Sequence, residues 1–305
     1  MRESIHKYFK VGLIAFMAYP SMIKGEDPNA LESLKKIAYD DYFDAVELSW
    51  IKDGEIRKQA AKLLDTAHMT VCYGAQPRLL TTGLNPNNID EAERKKAEAT
   101  LMEAIDEAHE LGSKGIAFLS GKWEQATRDQ AYQQLLKTTR NLCAYAKTKG
   151  MIVELEVFDY DIDKAALIGP APYAAQFAAD MRMTCDNFGL LIDLSHIPMT
   201  YETSEFVVRT LRPYLTHLHI GNTVCSDKSL EGYGDLHQRF GFPGGENDTC
   251  EVLEFLRVLK NEGLFNASNP MVLSFEVKPW QDEDPDAVVA NAKRVLNRAW
   301  ALLED

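Results

Sequence analysis

Residues 190–196 read LLIDLSH, an apolar run of strand length that ends in a carboxylate and, three residues later, an imidazole. Asp and His are depleted from strand interiors, so their position at the end of this run indicates a strand that delivers polar groups to a site. Side chains alternate along a strand, so Leu191 and Asp193 share one face. The stretch therefore predicts a strand whose carboxyl end contributes to a polar centre.

Three further apolar runs end in the same way. Residues 152–157 (IVELEV) and 272–277 (VLSFEV) carry acids, and residues 217–220 (HLHI) carry two imidazoles. Four such groups that converged without a cation would repel one another and lose hydration, so their convergence predicts a metal ion between them. Alternate residues share a strand face, which groups Glu154 with Glu156, His217 with His219, and Ser274 with Glu276.

Within each run, the donor nearer the carboxyl end of the strand is the better candidate ligand. A set of three carboxylates and one imidazole suits Mn²⁺ best, with Mg²⁺, Co²⁺ and Zn²⁺ as alternatives. Glu154 and His217 would lie deeper, as supporting or core residues. The predicted metal ligands are Glu156, Asp193, His219 and Glu276.

The rest of the chain alternates between strands and helices. Helices are predicted at about 31–38, 55–68, 91–111, 128–148, 174–180, 205–211, 250–262 and 286–303. Eight strand-helix units without a linker predict one (β/α)8 TIM barrel, an α/β domain that spans residues 1–305, with a doubly wound open sheet as the alternative. The chain has no glycine-rich nucleotide fingerprint to support that alternative. The first four predicted strands are Val11–Phe16, Phe43–Trp50, Met69–Tyr73 and Gly115–Leu119.

Three long segments follow predicted strand ends, at 74–88, 159–172 and 222–247. Barrels place their chemistry at this face, and the segment at 222–247 is predicted to be an active-site loop that forms a lid or a substrate wall. His196 could donate to a substrate oxygen or cap a helix, and Glu47 could touch substrate or form an ion pair. The candidate substrate-binding residues are His196, His237, Arg239, Lys278 and Glu47.

Bulk composition excludes several classes of partner. The formal net charge of −13 argues against a nucleic-acid backbone, which needs a basic surface. No apolar run is long enough for a membrane span, and the first residues lack the apolar region of a secretory signal, so we expect a cytoplasmic protein. The five cysteines are scattered and have no CxxC spacing, which predicts reduced thiols.

At these residues the sequence resembles the xylose isomerase-like TIM barrels, the sugar phosphate isomerase/epimerase superfamily that includes ketose 3-epimerases and inosose isomerases and dehydratases. The resemblance rests on residues 155–157, 193–196, 217–222 and 275–277. It implies that Glu156, Asp193, His219 and Glu276 bind one divalent metal. It also implies that the two glutamates move protons and that His196 contacts a small carbohydrate substrate.

The sequence departs from the ketose epimerases after the metal-binding histidine. Those enzymes carry an arginine there, whereas residues 222–226 have none and the next arginine is Arg239. The segment 237–248 is similar to a subgroup related to the catalytic subunits of bacterial C-glycoside deglycosidases, which cleave 3-oxo-C-glycosides with a small second subunit. That similarity implies a metal-dependent lyase and a hetero-oligomer as alternatives, and a homo-oligomer also stays open.

The favoured hypothesis is a metal-dependent isomerase or epimerase that abstracts a proton next to the carbonyl of a keto sugar or related polyol, through an enediolate. Return of the proton to the other face gives an epimerase, and return to another carbon gives an isomerase. The endonuclease IV-like enzymes share this fold but need more metal ligands than seven histidines can supply here. A non-catalytic carbohydrate-binding barrel is a further alternative.

Overall fold

The computed structural model describes residues 1–304, and its eight strands form one parallel sheet. Their order is β3-β2-β1-β8-β7-β6-β5-β4, and a parallel bridge between Gly74 and Ala117 joins the two ends of the sheet. The predicted (β/α)8 barrel is therefore confirmed. The strands are β1 Phe9–Ile14, β2 Ala45–Leu48, β3 Thr70–Tyr73, β4 Gly115–Leu119, β5 Ile152–Val157, β6 Phe188–Asp193, β7 Leu215–Gly221 and β8 Met271–Glu276.

Helices follow the strands, and the longer ones cover the outside of the barrel. They are α1 Ala15–Ala18, α2 Ala30–Ala38, α3 Gly54–Thr66, α4 Gln76–Leu80, α5 Glu91–Glu110, α6 Arg128–Lys147, α7 Ala171–Arg182, α8 His196–Met199, α9 Ser204–Leu211, α10 Thr249–Asn261 and α11 Pro285–Leu302. Within residues 1–304, none of these helices combines the length and the apolar character that crossing a bilayer requires.

Several predicted strand bounds differ from the structure, and those of the third, seventh and eighth strands differ by one or two residues. The first strand is Phe9–Ile14 rather than Val11–Phe16, because Phe16 belongs to α1. The second is only Ala45–Leu48, shorter than the predicted 43–50. The sixth ends at Asp193, and His196 lies just past its end, as the sequence predicted. The Asp193 carboxylate accepts a 2.9 Å hydrogen bond from the Ser195 backbone there and turns the chain into α8.

The main core lies between the barrel and its helices. On β5 to β8, residues next to the inward-facing donors point outward, and Leu155, Leu218 and Leu273 are fully buried there. Phe177 of α7 and Phe255 of α10 belong to the same apolar cluster. Because this outer layer provides the hydrophobic stabilisation, the inner face near the mouth of the barrel is free to carry polar side chains.

The register of the last strands brings the polar residues to one level. Asp193 of β6 is the direct partner of His219 on β7, and the ladder shifts between Leu190 and Leu191. Gly221 of β7 pairs with Glu276 of β8, and a Cβ on that glycine would lie 2.6 Å from the Glu276 carbonyl oxygen. The lack of a side chain at this position keeps β7 and β8 close together beside the site.

The long loop between β7 and α10, residues 222–248, is anchored at both ends. Asn222 accepts a 2.8 Å hydrogen bond from the Asn247 backbone, and Asn247 Nδ2 donates to the Gly221 carbonyl at 3.0 Å. Asp248 then begins α10 with a reciprocal capping box that includes Glu251. These contacts hold the loop across the carboxyl-terminal mouth of the barrel.

Candidate metal centre

The four predicted metal ligands lie together at the carboxyl-terminal mouth of the barrel. Each offers one ligand atom, and these atoms all lie within 4.8 Å of one another. The Nδ1 atom of His219 is 2.8 Å from Glu276 Oε2 and 3.5 Å from Glu156 Oε1. The four buried residues are Glu156, Asp193, His219 and Glu276.

One oxygen of the Glu156 carboxylate accepts a hydrogen bond, and the other, which lies 3.5 Å from His219 Nδ1, accepts none. Gln76, the first residue of α4, donates a 2.6 Å hydrogen bond from Nε2 to Glu156 Oε2. Glu156 Oε1 is buried and has no hydrogen-bond donor within residues 1–304. A buried carboxylate oxygen without a partner loses its hydration free energy, and a cation at the cluster would restore it.

Asp193 is fixed by the turn that follows its strand. Its Oδ1 accepts from the Ser195 backbone and its Oδ2 accepts a short hydrogen bond from the Ser195 hydroxyl. Burial raises the pKa of Asp193, and the negative charge of Glu276 raises it further. Two carboxylates this close repel each other when both are ionised, and a divalent cation between them would remove that repulsion.

Glu47 lies behind His219, on the side opposite the ligand cluster. The Nε2 atom of His219 is 3.1 and 3.2 Å from the two Glu47 carboxylate oxygens, so that ring nitrogen donates to Glu47 and Nδ1 faces the other three ligands. Burial alone would raise the pKa of Glu47, but the adjacent imidazoles of His217 and His219 hold it well below its usual range. A carboxylate behind a metal-binding imidazole fixes its tautomer and raises its basicity.

His217 and Glu154 extend the polar contacts deeper into the barrel. The two ring nitrogens of His217 face Glu47 Oε1 at 2.9 Å and Glu154 Oε2 at 3.2 Å. Burial would lower the pKa of His217, yet the charges of Glu47 and Glu154 outweigh it and raise the pKa to about 9. Both residues lie below the four-residue cluster, at the depth that the sequence predicted for them.

Two histidines approach the cluster from the loop side. His196 Nδ1 is 3.0 Å from the Val157 carbonyl and its Nε2 is 3.1 Å from Asp235 Oδ1. Because both of these oxygens are acceptors, the ring bonds both of them only as an imidazolium. His237 Nε2 lies 2.9 Å from the same Asp235 oxygen, and its Nδ1 lies 3.6 Å from Asp193 Oδ2.

The two remaining candidate substrate-binding residues, Lys278 and Arg239, have different contacts. Lys278 lines the cavity above the cluster, and its Nζ forms no hydrogen bond or ion pair within the described chain. Arg239 instead pairs with Glu283 at 2.8 Å, and its guanidinium also donates to the Gly241 carbonyl at 3.1 Å. Arg239 is therefore turned away from the cluster by an acid from the loop after β8, and its predicted contact with substrate stays a prediction.

Sequence reasoning missed three residues of this site. Gln76 is a polar residue three positions after the end of β3. Its place just after a strand end could have indicated a residue of the site. Asp235 is buried in the long loop, two residues before His237, and Lys164 reaches Asp235 Oδ2 at 3.1 Å from the loop after β5. Their roles depend on contacts between distant loops, which spacing along the chain does not show.

A cavity of about 220 Å³ opens above the cluster. Two members of the cluster, His219 and Glu276, line it, together with Glu47, His237 and Lys278. Apolar side chains complete the wall, among them Phe16, Met17 and Phe158. Convergent polar groups in a largely apolar concavity are typical of small-molecule sites.

The donor set fits a divalent ion. Three carboxylates and one imidazole match Mn²⁺ and similar ions, which prefer oxygen ligands and accept nitrogen. The unpartnered Glu156 Oε1 and the carboxylate behind His219 are the features that such a centre needs.

Comparison with solved structures finds many proteins of the same fold. The IolI protein, whose structure contains a bound zinc atom, has a TM-score of 0.72 and 15% identity over 97% of this chain and 100% of its own. D-psicose 3-epimerase from Clostridium cellulolyticum H10 has a TM-score of 0.70 and 17% identity over 97% and 100%. The 3-keto-D-glucoside 4-epimerase YcjR from E. coli has a TM-score of 0.66 and 15% identity over 95% and 99%.

At these identities the likeness shows a shared fold. No curated protein matches the sequence. The model of one protein family, described as the xylose isomerase-like TIM barrel, matches residues 36–298, which is most of the chain. The eight-stranded barrel and the match over this range together establish that the chain belongs to the xylose isomerase-like TIM barrel family.

Proposed function

We propose that this protein is a divalent-metal-dependent sugar isomerase or epimerase that abstracts a proton next to the carbonyl of a keto sugar or related polyol. The observation that carries the proposal is the cluster of Glu156, Asp193, His219 and Glu276 at the mouth of the barrel, in which the buried Glu156 Oε1 accepts no hydrogen bond. The structural neighbours named as epimerases of psicose and of a keto-glucoside support the same chemistry.

The four clustered residues would hold the ion, and Mn²⁺ fits them best. Held there, the ion would supply Lewis acidity, which would make a hydrogen next to the substrate carbonyl more acidic. Glu47 keeps the His219 ring in place by accepting from Nε2. Gln76 keeps the Glu156 carboxylate in place by donating to Oε2.

Glu156 and Glu276 are the proposed proton-transfer residues. They lie on β5 and β8, which are three strands apart in the ring, so the two carboxylates approach the substrate from different sides. One carboxylate removes the proton and the other returns it. Return to the opposite face of the same carbon is epimerisation, and return to the adjacent carbon is aldose-ketose isomerisation.

The wall of the cavity would bind and shield the sugar. Lys278 and His237 lie next to Glu276, where they can bond substrate oxygens. The His237 Nε2 atom is 3.5 Å from Glu276 Oε1, and the His237 carbonyl accepts a 2.6 Å hydrogen bond from the Lys278 backbone. Phe16 and Phe158 exclude water from the reacting carbon, which strengthens each polar contact there.

Solvent-deuterium exchange tests the proposal. Keto sugars and an inosose are incubated with the Mn²⁺-loaded protein in D₂O, and incorporation is followed by NMR. We expect exchange into at least one of them, at least 100-fold slower in Glu156→Gln and Glu276→Gln and normal in Asp65→Asn, which alters an exposed carboxylate of α3. Tight sugar binding without exchange would instead support the non-catalytic barrel. Exchange that survives complete removal of divalent ions would contradict the metal-dependent mechanism.

A further inference from the structure

The short helix α4 lies between the candidate metal centre and the outer helices. It contains five residues, Gln76–Leu80, and begins two residues after the bridge at Gly74. A helix of little more than one turn is not stable on its own, so its position depends on contacts with the rest of the chain. Because its first residue, Gln76, donates to the Glu156 carboxylate, the position of α4 decides how that carboxylate is held.

Arg78 anchors the opposite side of α4. It lies two positions after Gln76, and two helical positions differ by about 200° around the helix axis, so the two side chains point in nearly opposite directions. The Arg78 side chain is buried and contacts the outer helix α5. Its Nε donates to the Tyr73 hydroxyl at 3.0 Å, and its Nη2 donates to Glu107 Oε2 at 2.8 Å.

Glu107 of α5 connects this arginine to two further segments. Its Oε1 accepts from the Tyr73 hydroxyl of β3 at 3.1 Å and from the Ile51 backbone, after β2, at 2.7 Å. The central carbon of the Arg78 guanidinium lies 5.2 Å from the centroid of the Trp50 ring. A planar guanidinium that donates to two fixed acceptors and lies over an aromatic ring has one favoured orientation, which fixes α4 relative to α5.

The other contacts of α4 do not fix its rotation in the same way. Gly74 and Ala75, just before the helix, donate from their amides to carbonyls of β2 and β4 at 2.7 and 2.8 Å. These bonds hold the point at which the helix begins and leave it able to turn about that point. Leu79 packs in the apolar core, a contact without a preferred direction. The hydrogen bonds of Arg78 supply the directional contact that opposes rotation.

We propose that Arg78, held by Glu107, is a positioning residue for the metal centre: it fixes the rotation of α4 and thereby the direction in which Gln76 presents its amide to Glu156. Neither Arg78 nor Glu107 belongs to the four-residue cluster or lines the cavity above it. The inference rests on the proposed function for the presence of the ion. It assigns part of the affinity for that ion to a buried ion pair behind α4.

Calorimetric titration with Mn²⁺ tests the inference. We expect Arg78→Met to weaken Mn²⁺ binding about tenfold, and Arg78→Lys, which keeps the charge but loses the planar fork, to weaken it about threefold. Arg94→Met is the matched control. Arg94 is also buried and bonded to acids, but its partners lie on α5 and α6. Its replacement should therefore leave Mn²⁺ affinity within about twofold of the native value.

A double-mutant cycle with Gln76→Ala separates positioning from general destabilisation. Because Gln76→Ala removes the amide through which Arg78 acts, the addition of Arg78→Met should weaken binding by at most a further factor of about two. Independent effects would instead multiply, and the double variant would then bind about tenfold more weakly than Gln76→Ala. Multiplied effects, a native affinity in folded Arg78→Met, or an equal loss in Arg94→Met would overturn the inference.

A measurement without metal keeps this result separate from the proposed function. The side-chain amide signals of Gln76 in a ¹⁵N-correlated NMR spectrum are assigned by their absence in Gln76→Ala. We expect Arg78→Met to move these signals towards those of exposed glutamines and to speed their exchange with solvent, and Arg94→Met to leave them in place. If Arg78→Met does not fold, Arg78→Lys provides the same comparison.

The two measurements have different consequences. Absence of Mn²⁺ binding by the native protein would contradict the proposed function, and the amide signals would still decide whether Arg78 orients Gln76. Unchanged amide signals in a folded Arg78 variant would overturn the positioning role, even if the native protein binds Mn²⁺ and exchanges deuterium into keto sugars.

Discussion

Gln76 donates a 2.6 Å hydrogen bond to Glu156 Oε2, and the other oxygen of the same carboxylate faces the four-residue cluster without a donor. This hydrogen bond leaves Oε1 as the Glu156 oxygen that can bind a metal ion. We expect Gln76→Ala to weaken Mn²⁺ binding by about 10- to 100-fold, because the carboxylate loses its orientation. Calorimetric titration measures this effect. Gln59→Ala, on the exposed face of α3, is the matched control, and equal affinities in the two variants would contradict the role.

Divalent metal should stabilise the fold. Ligands that bind the folded state at 1,000 times their dissociation constant add about 4 kcal/mol to the free energy of unfolding, which corresponds to a rise of several degrees in the thermal midpoint. We expect this rise with Mn²⁺ in the native protein and its loss after chelation. In Asp193→Asn the rise should be reduced or absent. An unchanged midpoint in all three samples would argue against a metal centre.

Glu47 offers a test of two different roles. The geometry predicts that Glu47→Gln weakens Mn²⁺ binding by about 10- to 100-fold, since His219 loses the anionic acceptor at Nε2. A substrate contact would instead raise KM and leave metal affinity as it was. Calorimetry and deuterium-exchange kinetics on the same variant distinguish these results. His217→Gln, which removes the other imidazole that contacts Glu47, should have the smaller effect on metal affinity.

Lys278 and Arg239 should behave differently when their charges are removed. Lys278→Met is expected to raise KM for an exchanging keto sugar by about tenfold, since a hydrogen bond to a charged group is worth roughly 1.5 kcal/mol or more. Arg239→Met should leave KM within about twofold, because its guanidinium pairs with Glu283. Steady-state kinetics decide the matter. The reverse order of effects would show that the loop rearranges when substrate binds.

One pH effect is expected far from the site. The hydrogen bond to Asp44 at 2.6 Å, opposed by partial burial, raises the pKa of His6, and Asp41 adds to the effect. The protonated form therefore stabilises the fold below the unfolded-state pKa of about 6.5, and this contribution is lost as the pH rises through the folded-state pKa.

The variant His6→Gln measures that contribution. We expect it to lower the free energy of unfolding by about 1 kcal/mol or less at pH 5.5 and by a smaller amount at pH 9. Urea denaturation at the two pH values provides the comparison. A larger loss at pH 9 than at pH 5.5 would contradict the assigned direction.

The strand pattern could be predicted because it depends on local alternation. The predicted bounds of β4 and β5 agree with the structure, and the four candidate ligands converge because parallel strands of a barrel end at one face. The hydrogen bond from Gln76 to Glu156 spans 80 residues and could not be predicted. The direction of Arg239 could not be predicted either, because it depends on Glu283, which lies 44 residues away.

Only one bridge, between Gly74 and Ala117, joins β3 to β4, whereas the other neighbouring strands of the barrel are joined by ladders within residues 1–304. The sequence near this bridge should therefore tolerate change better than the sequence of the other strands. The paired strands β5 to β8, whose ladder shifts once at Leu190, carry the four clustered donors. Near the bridge, Gly74 lines the cavity above the cluster, and Leu119 lines a second cavity between the loops that follow β3 and β4. Insertions or substitutions in the loop at 74–88, outside α4, can thus alter the shape of these cavities without shifting the donors. That loop is where we would begin to redesign specificity, and where divergence among relatives should concentrate.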